Sequence, residues 1–204
     1  MQEKNRNITQ FTDKYEFTNP ITRAILDNFF KAVLSLCPKK TNKVLEVGCG
    51  AGYSTKILYE HIKPETFHAS DIDPELVKLA KERTPQITAE KESIYELPHK
   101  DNSFDLVFTL EVLEHLEDPE KALKELKRVT NKYIIVSVPH EPIWRILNML
   151  RGKYLKHFGN TEGHINHWSK RSFTKLVGKH FKVIKVKTPL PWIVILAEKN
   201  EETF

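Results

Sequence analysis

The sequence predicts an α/β fold: an open sheet of parallel strands with helices wound on both faces. Three observations predict it. Lys43-Val44-Leu45-Glu46-Val47 is a short run rich in Val and Leu, followed by glycines at alternate positions, Gly48, Gly50 and Gly52, and then by a helical pattern from Tyr53 to Leu58. Strand, glycine turn and helix in that order are how an open α/β sheet makes a ligand pocket at its strand ends. A second strand, Thr66-Phe67-His68-Ala69-Ser70, ends in Asp71, which stands 19 residues past Gly52. That is the spacing that brings a carboxylate to a ribose hydroxyl pair. Phe104-Asp105-Leu106-Val107-Phe108-Thr109-Leu110 is mostly apolar, as a central parallel strand covered on both faces must be.

The remaining elements follow in order. Residues 1 to 19 are polar, with Phe11, Tyr15 and Phe17 as spaced aromatics. From Pro20 to Leu36 apolar residues recur at helical spacing (Ile21, Ala24, Ile25, Phe29, Val33, Leu36), and Pro38 ends the run. After Asp71, Asp73 is placed to cap a helix with Pro74 at its first position. A third strand is expected over residues 87–91, and Asp101-Asn102-Ser103 makes the turn into the fourth. Residues 119–129 form an amphipathic helix with Ala122, Leu123, Leu126 and Val129 inside, and 132–138 form a fifth strand stopped by Pro139. Residues 141–160 mix Ile143, Trp144, Ile146, Leu147, Met149, Leu150 and Leu155 with Arg145, Arg151, Lys153 and Lys156, the pattern of a basic amphipathic helix. It suits a lid packed on the core, a wall for an apolar substrate or a contact with a membrane surface. A helix over 171–179 and strands over 181–186 and 192–197 complete the chain.

The 204 residues are expected to form one domain. A hydrophobic content of 40% and a charged content of 29% are ordinary for a globular protein. The net charge of +5 is spread along the chain rather than gathered in blocks, so solvated helix faces are expected and no nucleic-acid partner. Cys37 and Cys49 sit in unlike contexts; no disulfide and a cytoplasmic location are the expectation. No stretch approaches 18 apolar residues, so no stable membrane insertion is expected.

The glycine turn also speaks to the ligand. A dinucleotide fingerprint places its third glycine three residues after the second; here Tyr53 stands there and Gly52 comes one residue early. Glu46, two residues before Gly48, would repel a pyrophosphate and attract a cation. S-adenosylmethionine, with its adenosine, α-amino group and sulfonium, fits. The Glu46-x-Gly48-x-Gly50-x-Gly52 run resembles the first motif of the class I S-adenosylmethionine-dependent methyltransferases, type 11-like. Asn102-Ser103-Phe104-Asp105-Leu106-Val107 followed by Glu111-Val112-Leu113-Glu114-His115 is similar to that family's pattern as well. The resemblance implies a Rossmann-like, doubly wound sheet of seven mostly parallel strands in the order 3-2-1-4-5-7-6, the last antiparallel. It implies that Glu46, Gly48, Cys49, Gly50 and Gly52 hold the methionine end of S-adenosylmethionine, and that Asp71 and Ile72 hold the ribose. Ser93 and Ile94 would then meet the adenine, with Leu110 nearby. Ser93 stands where the family usually has an acid, a weaker hydrogen-bonding partner than a carboxylate. Residues 1–40 would cover the pocket, and 141–168 would form a lid-like insertion.

If a helical turn starts at Glu111, then Glu111, Glu114 and His115 share one face. Two carboxylates and an imidazole so placed suit either a divalent ion or acid–base work. The Glu-x-x-Glu-His string resembles two metal-assisted branches of the family, the small-RNA 3′-terminal 2′-O-methyltransferases and the ubiquinone-pathway O-methyltransferases. In the first a later histidine completes the site, and His164 with Trp168 matches that place. His115 and His164 are therefore the candidate catalytic residues, with no metal assigned. The chain lacks an Asn/Asp-Pro-Pro-aromatic run after strand four and a cysteine placed to attack a nucleobase. The expected function is methylation of a small-molecule acceptor, at oxygen first of all. An RNA ribose 2′-O-methyltransferase and a non-catalytic sensor or scaffold that binds S-adenosylmethionine stand as alternatives.

Overall fold

The computed structural model describes residues 20–152 and 154–200. The aromatics at 11, 15 and 17, the first half of the expected pocket cover, and Lys153 lie outside the described residues. The elements run α1 (Pro20–Leu34), β1 (Lys43–Val47), α2 (Tyr53–Ile62), β2 (Thr66–Asp71), α3 (Pro74–Arg83), β3 (Thr88–Lys91), β4 (Phe104–Leu110), α4 (Pro119–Val129), β5 (Thr130–Pro139), α5 (Ile143–Leu150), α6 (Lys170–Gly178), β6 (Phe181–Lys187) and β7 (Trp192–Lys199). One 3-10 turn covers Leu113–His115 and another Leu155–His157. The seven strands form one sheet in the order β3-β2-β1-β4-β5-β7-β6. β1, β2, β3, β4 and β5 pair in parallel, and β7 runs antiparallel between β5 and β6. This is the Rossmann-like order expected from the sequence.

The period of two along each strand sorts the core onto two faces. On one, Leu45, Val107, Ile134 and Ile193 pack with Leu123 and Leu126 of α4 and Phe173 of α6. On the other, Val44, Leu106, Phe108 and Val194 pack with Phe29 and Val33 of α1, Leu58 of α2 and Ala80 of α3. α4 repeats the rule within one helix: Ala122, Leu123, Leu126 and Val129 are fully buried, while its lysines face water. Two helices start where Asp and Pro stand together. Asp73 accepts from the Glu75 N–H and Asp118 from the Lys121 N–H, with Pro74 and Pro119 filling the position that has no N–H to satisfy.

The 141–160 stretch departs from the expected continuous helix. α5 ends at Leu150, and the chain turns through Gly152, whose φ of +68° a side chain would resist. The face of α5 turned inward carries the buried Asn148, whereas Ile146, Met149 and Leu150 are exposed. Asn148 explains the inversion: its amide donates to the Gly159 carbonyl and the Thr161 hydroxyl, at 2.9 and 3.2 Å. Arg145 donates to the Phe158 and His157 carbonyls. α5 is thus a bracket for residues 157–161. Among the described residues no helix is long and apolar enough to cross a membrane, and Cys37 and Cys49 are both free.

Candidate active site

The carboxyl ends of β1, β2 and β4 surround a cavity of about 550 Å³, the place where an open α/β sheet reverses its winding. The glycine turn forms its floor. Gly48, Gly50 and Gly52 all have positive φ, at +80°, +53° and +79°. The Gly48 and Cys49 N–H groups both donate to the Ser70 carbonyl, at 2.7 and 2.9 Å, and so tie the turn to β2. A Cβ on Gly50 would meet nothing within 4 Å, so the backbone there borders open space; a Cβ on Gly52 would stand 2.6 Å from the Ala80 Cα. The middle glycine serves a ligand's approach, and the last serves the packing of α2 against α3.

Asp71 closes β2 at the cavity wall. Its Oδ2 accepts from the Gly50 N–H at 2.9 Å and its Oδ1 from the Asp73 N–H at 3.0 Å. Burial pushes the carboxyl above its ordinary value, against the pull of those two donors. Of the residues nominated for the cofactor, Gly48, Cys49, Gly50, Asp71, Ile72, Ser93, Ile94 and Leu110 all line the cavity.

Glu46 and Gly52, also expected at the cofactor, are not among the lining residues. Glu46 is 1% exposed and lies under the turn. Its two oxygens accept from Ser54 Oγ and Thr55 Oγ1, each at 2.6 Å, which fastens the first turn of α2. Burial pushes its carboxyl up to about 7, opposed by the two hydroxyls and helped by the charge of Asp71. Tyr53, Leu76, Tyr95, Val112 and Leu116 also line the cavity, and sequence reasoning missed them. Tyr53 and Tyr95 adjoin nominated residues, which was the available signal. Ser93 stands at the wall as expected, and its Oγ accepts from the Tyr95 N–H at 3.3 Å. The neighbouring Glu92 is engaged elsewhere, with His68 and His99.

Past β4 the expected common face of Glu111, Glu114 and His115 does not form. Glu111 adopts a left-handed φ of +59° before the 3-10 turn begins. Its carboxylate accepts from Ser137 Oγ at 3.0 Å and Trp192 Nε1 at 2.6 Å. Glu114 and His115 instead meet His164, and one ligand-capable atom of each lies within 4.8 Å of the others. His115 sits on the cavity lining, and its Nδ1 lies 2.9 Å from the Gly163 carbonyl. A carbonyl accepts only, so Nδ1 carries a proton in this contact. The His164 ring packs edge-on against His115, with centroids 4.9 Å apart, and stacks on Trp144 at 6.0 Å. Trp144 Nε1 donates to Thr161 Oγ1 at 2.8 Å. Trp168, the aromatic expected beside His164, packs on Phe173 as part of the core.

Residues 45–134, from β1 into β5, match a family described as a methyltransferase domain. An uncharacterised methyltransferase of Schizosaccharomyces pombe is 41% identical over 103 residues, 45% of this chain and 37% of that protein. The malonyl-[acyl-carrier protein] O-methyltransferase of Halorhodospira halophila is 29% identical over 128 residues, 61% of this chain and 43% of that protein. The chain therefore spans about two fifths of the length of these curated relatives. The crystal structure of a SAM dependent methyltransferase from Aquifex aeolicus superposes with a TM-score of 0.69 at 20% identity, over 93% of this chain and 98% of that one. The matched stretch covers the strands that build the cavity and the sheet order is shared with such neighbours, so residues 45–134 carry a methyltransferase domain within the Rossmann-like fold of S-adenosylmethionine-dependent methyltransferases.

Proposed function

We propose that this chain binds S-adenosylmethionine in the cavity at the ends of β1, β2 and β4 and methylates an oxygen of a small-molecule acceptor lying beside His115. The carrying observation is the clamp on Asp71. A backbone N–H occupies each of its oxygens, and a carboxylate has about four acceptor positions. Beside the N–H groups of Gly50, Asp73 and Ile72, acceptor capacity remains on the carboxylate for a ligand hydroxyl. The open approach to the Gly50 backbone fits the same ligand. Bound there, S-adenosylmethionine supplies a methyl group activated by a sulfonium.

The chain's own residues supply the rest. Asp71 grips the ribose, and Ser93 and Ile94 wall the adenine. Glu46, held under the turn by Ser54 and Thr55, fixes the first turn of α2 beneath the cationic end. His115, with its proton on Nδ1 against Gly163, offers Nε2 as the acceptor for the proton of a hydroxyl. The edge contact with His164 orients that ring. An O-methyltransferase among the relatives supports oxygen as the acceptor atom.

The test uses methyl-labelled S-adenosylmethionine with a panel of phenols, catechols and carboxylic acids. His115→Ala is expected to lower turnover by about 10²- to 10⁴-fold while leaving the affinity for S-adenosylhomocysteine unchanged. Unaltered turnover would remove the base from the scheme.

A second reading rests on the meeting of Glu114, His115 and His164. Two imidazoles and a carboxylate suit a divalent ion, which would supply Lewis-acid help in ionising an acceptor hydroxyl, a ribose 2′-hydroxyl included. Turnover abolished by a chelator and restored by Mg²⁺ or Mn²⁺ would favour it, as would a salt-steep affinity for RNA.

A further inference from the structure

Behind the adenine wall a different cluster forms from residues far apart in the chain. His68 lies on β2, Glu92 just past β3 and His99 in the turn before β4. One ligand-capable atom of each lies within 4.8 Å of the others. His68 Nε2 is 3.0 Å from Glu92 Oε1, and His99 Nε2 is 3.2 Å from Glu92 Oε2. Glu90 brings its Oε2 to 3.7 Å from His68 Nε2. The imidazoles meet edge to face with centroids 4.7 Å apart, and His99 packs in the same way on Phe104 at 4.9 Å. Glu92 is 6% exposed, while Glu90 reaches solvent.

We propose that His68, Glu92 and His99 form a binding site for a divalent transition metal of the Zn²⁺ class, with Glu90 or a water as fourth ligand. Two imidazole nitrogens with carboxylate oxygens are the donor set of Zn²⁺, Co²⁺ and Ni²⁺ rather than of Mg²⁺ or Ca²⁺. Both rings present the same nitrogen, Nε2, to one carboxylate. Bonds of about 2.0–2.1 Å in a tetrahedron set neighbouring donors about 3.3 Å apart, close to the two separations observed. Phe104 supplies the apolar side that keeps such a site dry. Glu92 precedes Ser93 and itself lines the cavity, so an ion here would fasten the loop of the adenine wall to β2.

A hydrogen-bonded triad and a metal site make opposite demands on the same atoms. The triad needs a proton on each Nε2; the ion needs the lone pair on each. The decisive experiment is a titration of the full chain, stripped with EDTA, with ZnCl₂ by calorimetry, repeated with Co²⁺ read by visible absorption. One Zn²⁺ per chain is expected. Losing even an outer-shell partner of a metal site costs about 10- to 100-fold in affinity, so His68→Ala and His99→Gln should each cost at least that. Gln at 99 keeps a donor to Glu92 while removing the ligand, which protects the fold. The double variant His115→Ala/His164→Ala should retain the stoichiometry. On the unaltered chain, Zn²⁺ should move the imidazole NMR signals of His68 and His99 first, whatever the variants do. The proposal is overturned by an absence of saturable binding at about millimolar Zn²⁺, by unchanged affinity in folded His99→Gln, or by Zn²⁺ shifts confined to His115 and His164.

Discussion

Glu46 shows how one side chain links the fold to pH. Its carboxyl is raised from 4.5 to about 7 by burial. The folded value lies above the unfolded one, so the stability it contributes is complete below about pH 4.5 and is lost as pH rises through about 7. Glu46→Gln abolishes that titration and keeps an acceptor for Ser54 or Thr55. Urea midpoints should therefore fall for the unaltered chain, relative to the variant, between about pH 5 and 8; parallel profiles would show that the carboxyl is not raised. The glycines separate fold from site just as sharply. Gly52→Ala drives a Cβ to 2.6 Å from the Ala80 backbone at a φ of +79°. It is expected to cost about 2–4 kcal/mol of stability, strain and overpacking together. Gly50→Ala meets no neighbour and should cost only about 1–2 kcal/mol for its left-handed conformation, while weakening the binding of S-adenosylhomocysteine more than Gly52→Ala does. Urea unfolding and calorimetry on both variants check the contrast.

At the scale of elements, α5 and the segment it brackets present His164 to His115. Asn148 is the pin, buried with its amide on Gly159 and Thr161. Asn148→Ala leaves the buried Gly159 carbonyl short of a donor, worth about 1–3 kcal/mol. Hydrogen exchange across residues 157–164 should quicken, with α1 to α4 unaffected; equal protection would deny the bracket. Its helical beginning was legible in the sequence, but its polarity was not. A basic amphipathic pattern says which residues share a face and not which face turns inward, and here Asn148 and Trp144 bind inward while Ile146, Met149 and Leu150 stay out. The strands and the cap at Asp73 were easier to foresee, because an Asp-Pro start and apolar runs act locally. Glu111 defeated the helical reading because a left-handed φ of +59° breaks the phase before the 3-10 turn.

For the molecule as a whole, the sheet divides the site into two halves of unequal legibility. The cofactor half is assembled from strand ends, each with its functional residues directly behind it in the chain: the glycine turn after β1, Asp71 at the tip of β2, Ser93 and Ile94 after β3. The glycine turn and Asp71 are nominated by short spacings, and Ser93 and Ile94 by the resemblance to the methyltransferases. The acceptor half joins His115 to Gly163, 48 positions apart, and the His68–Glu92–His99 cluster joins β2 to a later turn. No local period encodes either contact; both arise only when the order β3-β2-β1-β4-β5 closes. The most direct test of the central claim is calorimetric titration of S-adenosylmethionine and S-adenosylhomocysteine into the full chain and into Asp71→Ala. One molecule should bind per chain. Removing a carboxylate that accepts from ligand hydroxyls is worth about 1.5–3 kcal/mol, so Asp71→Ala should weaken binding by roughly 10- to 100-fold. Absence of binding to the unaltered chain, or equal affinity in Asp71→Ala, would contradict the assignment of the cavity.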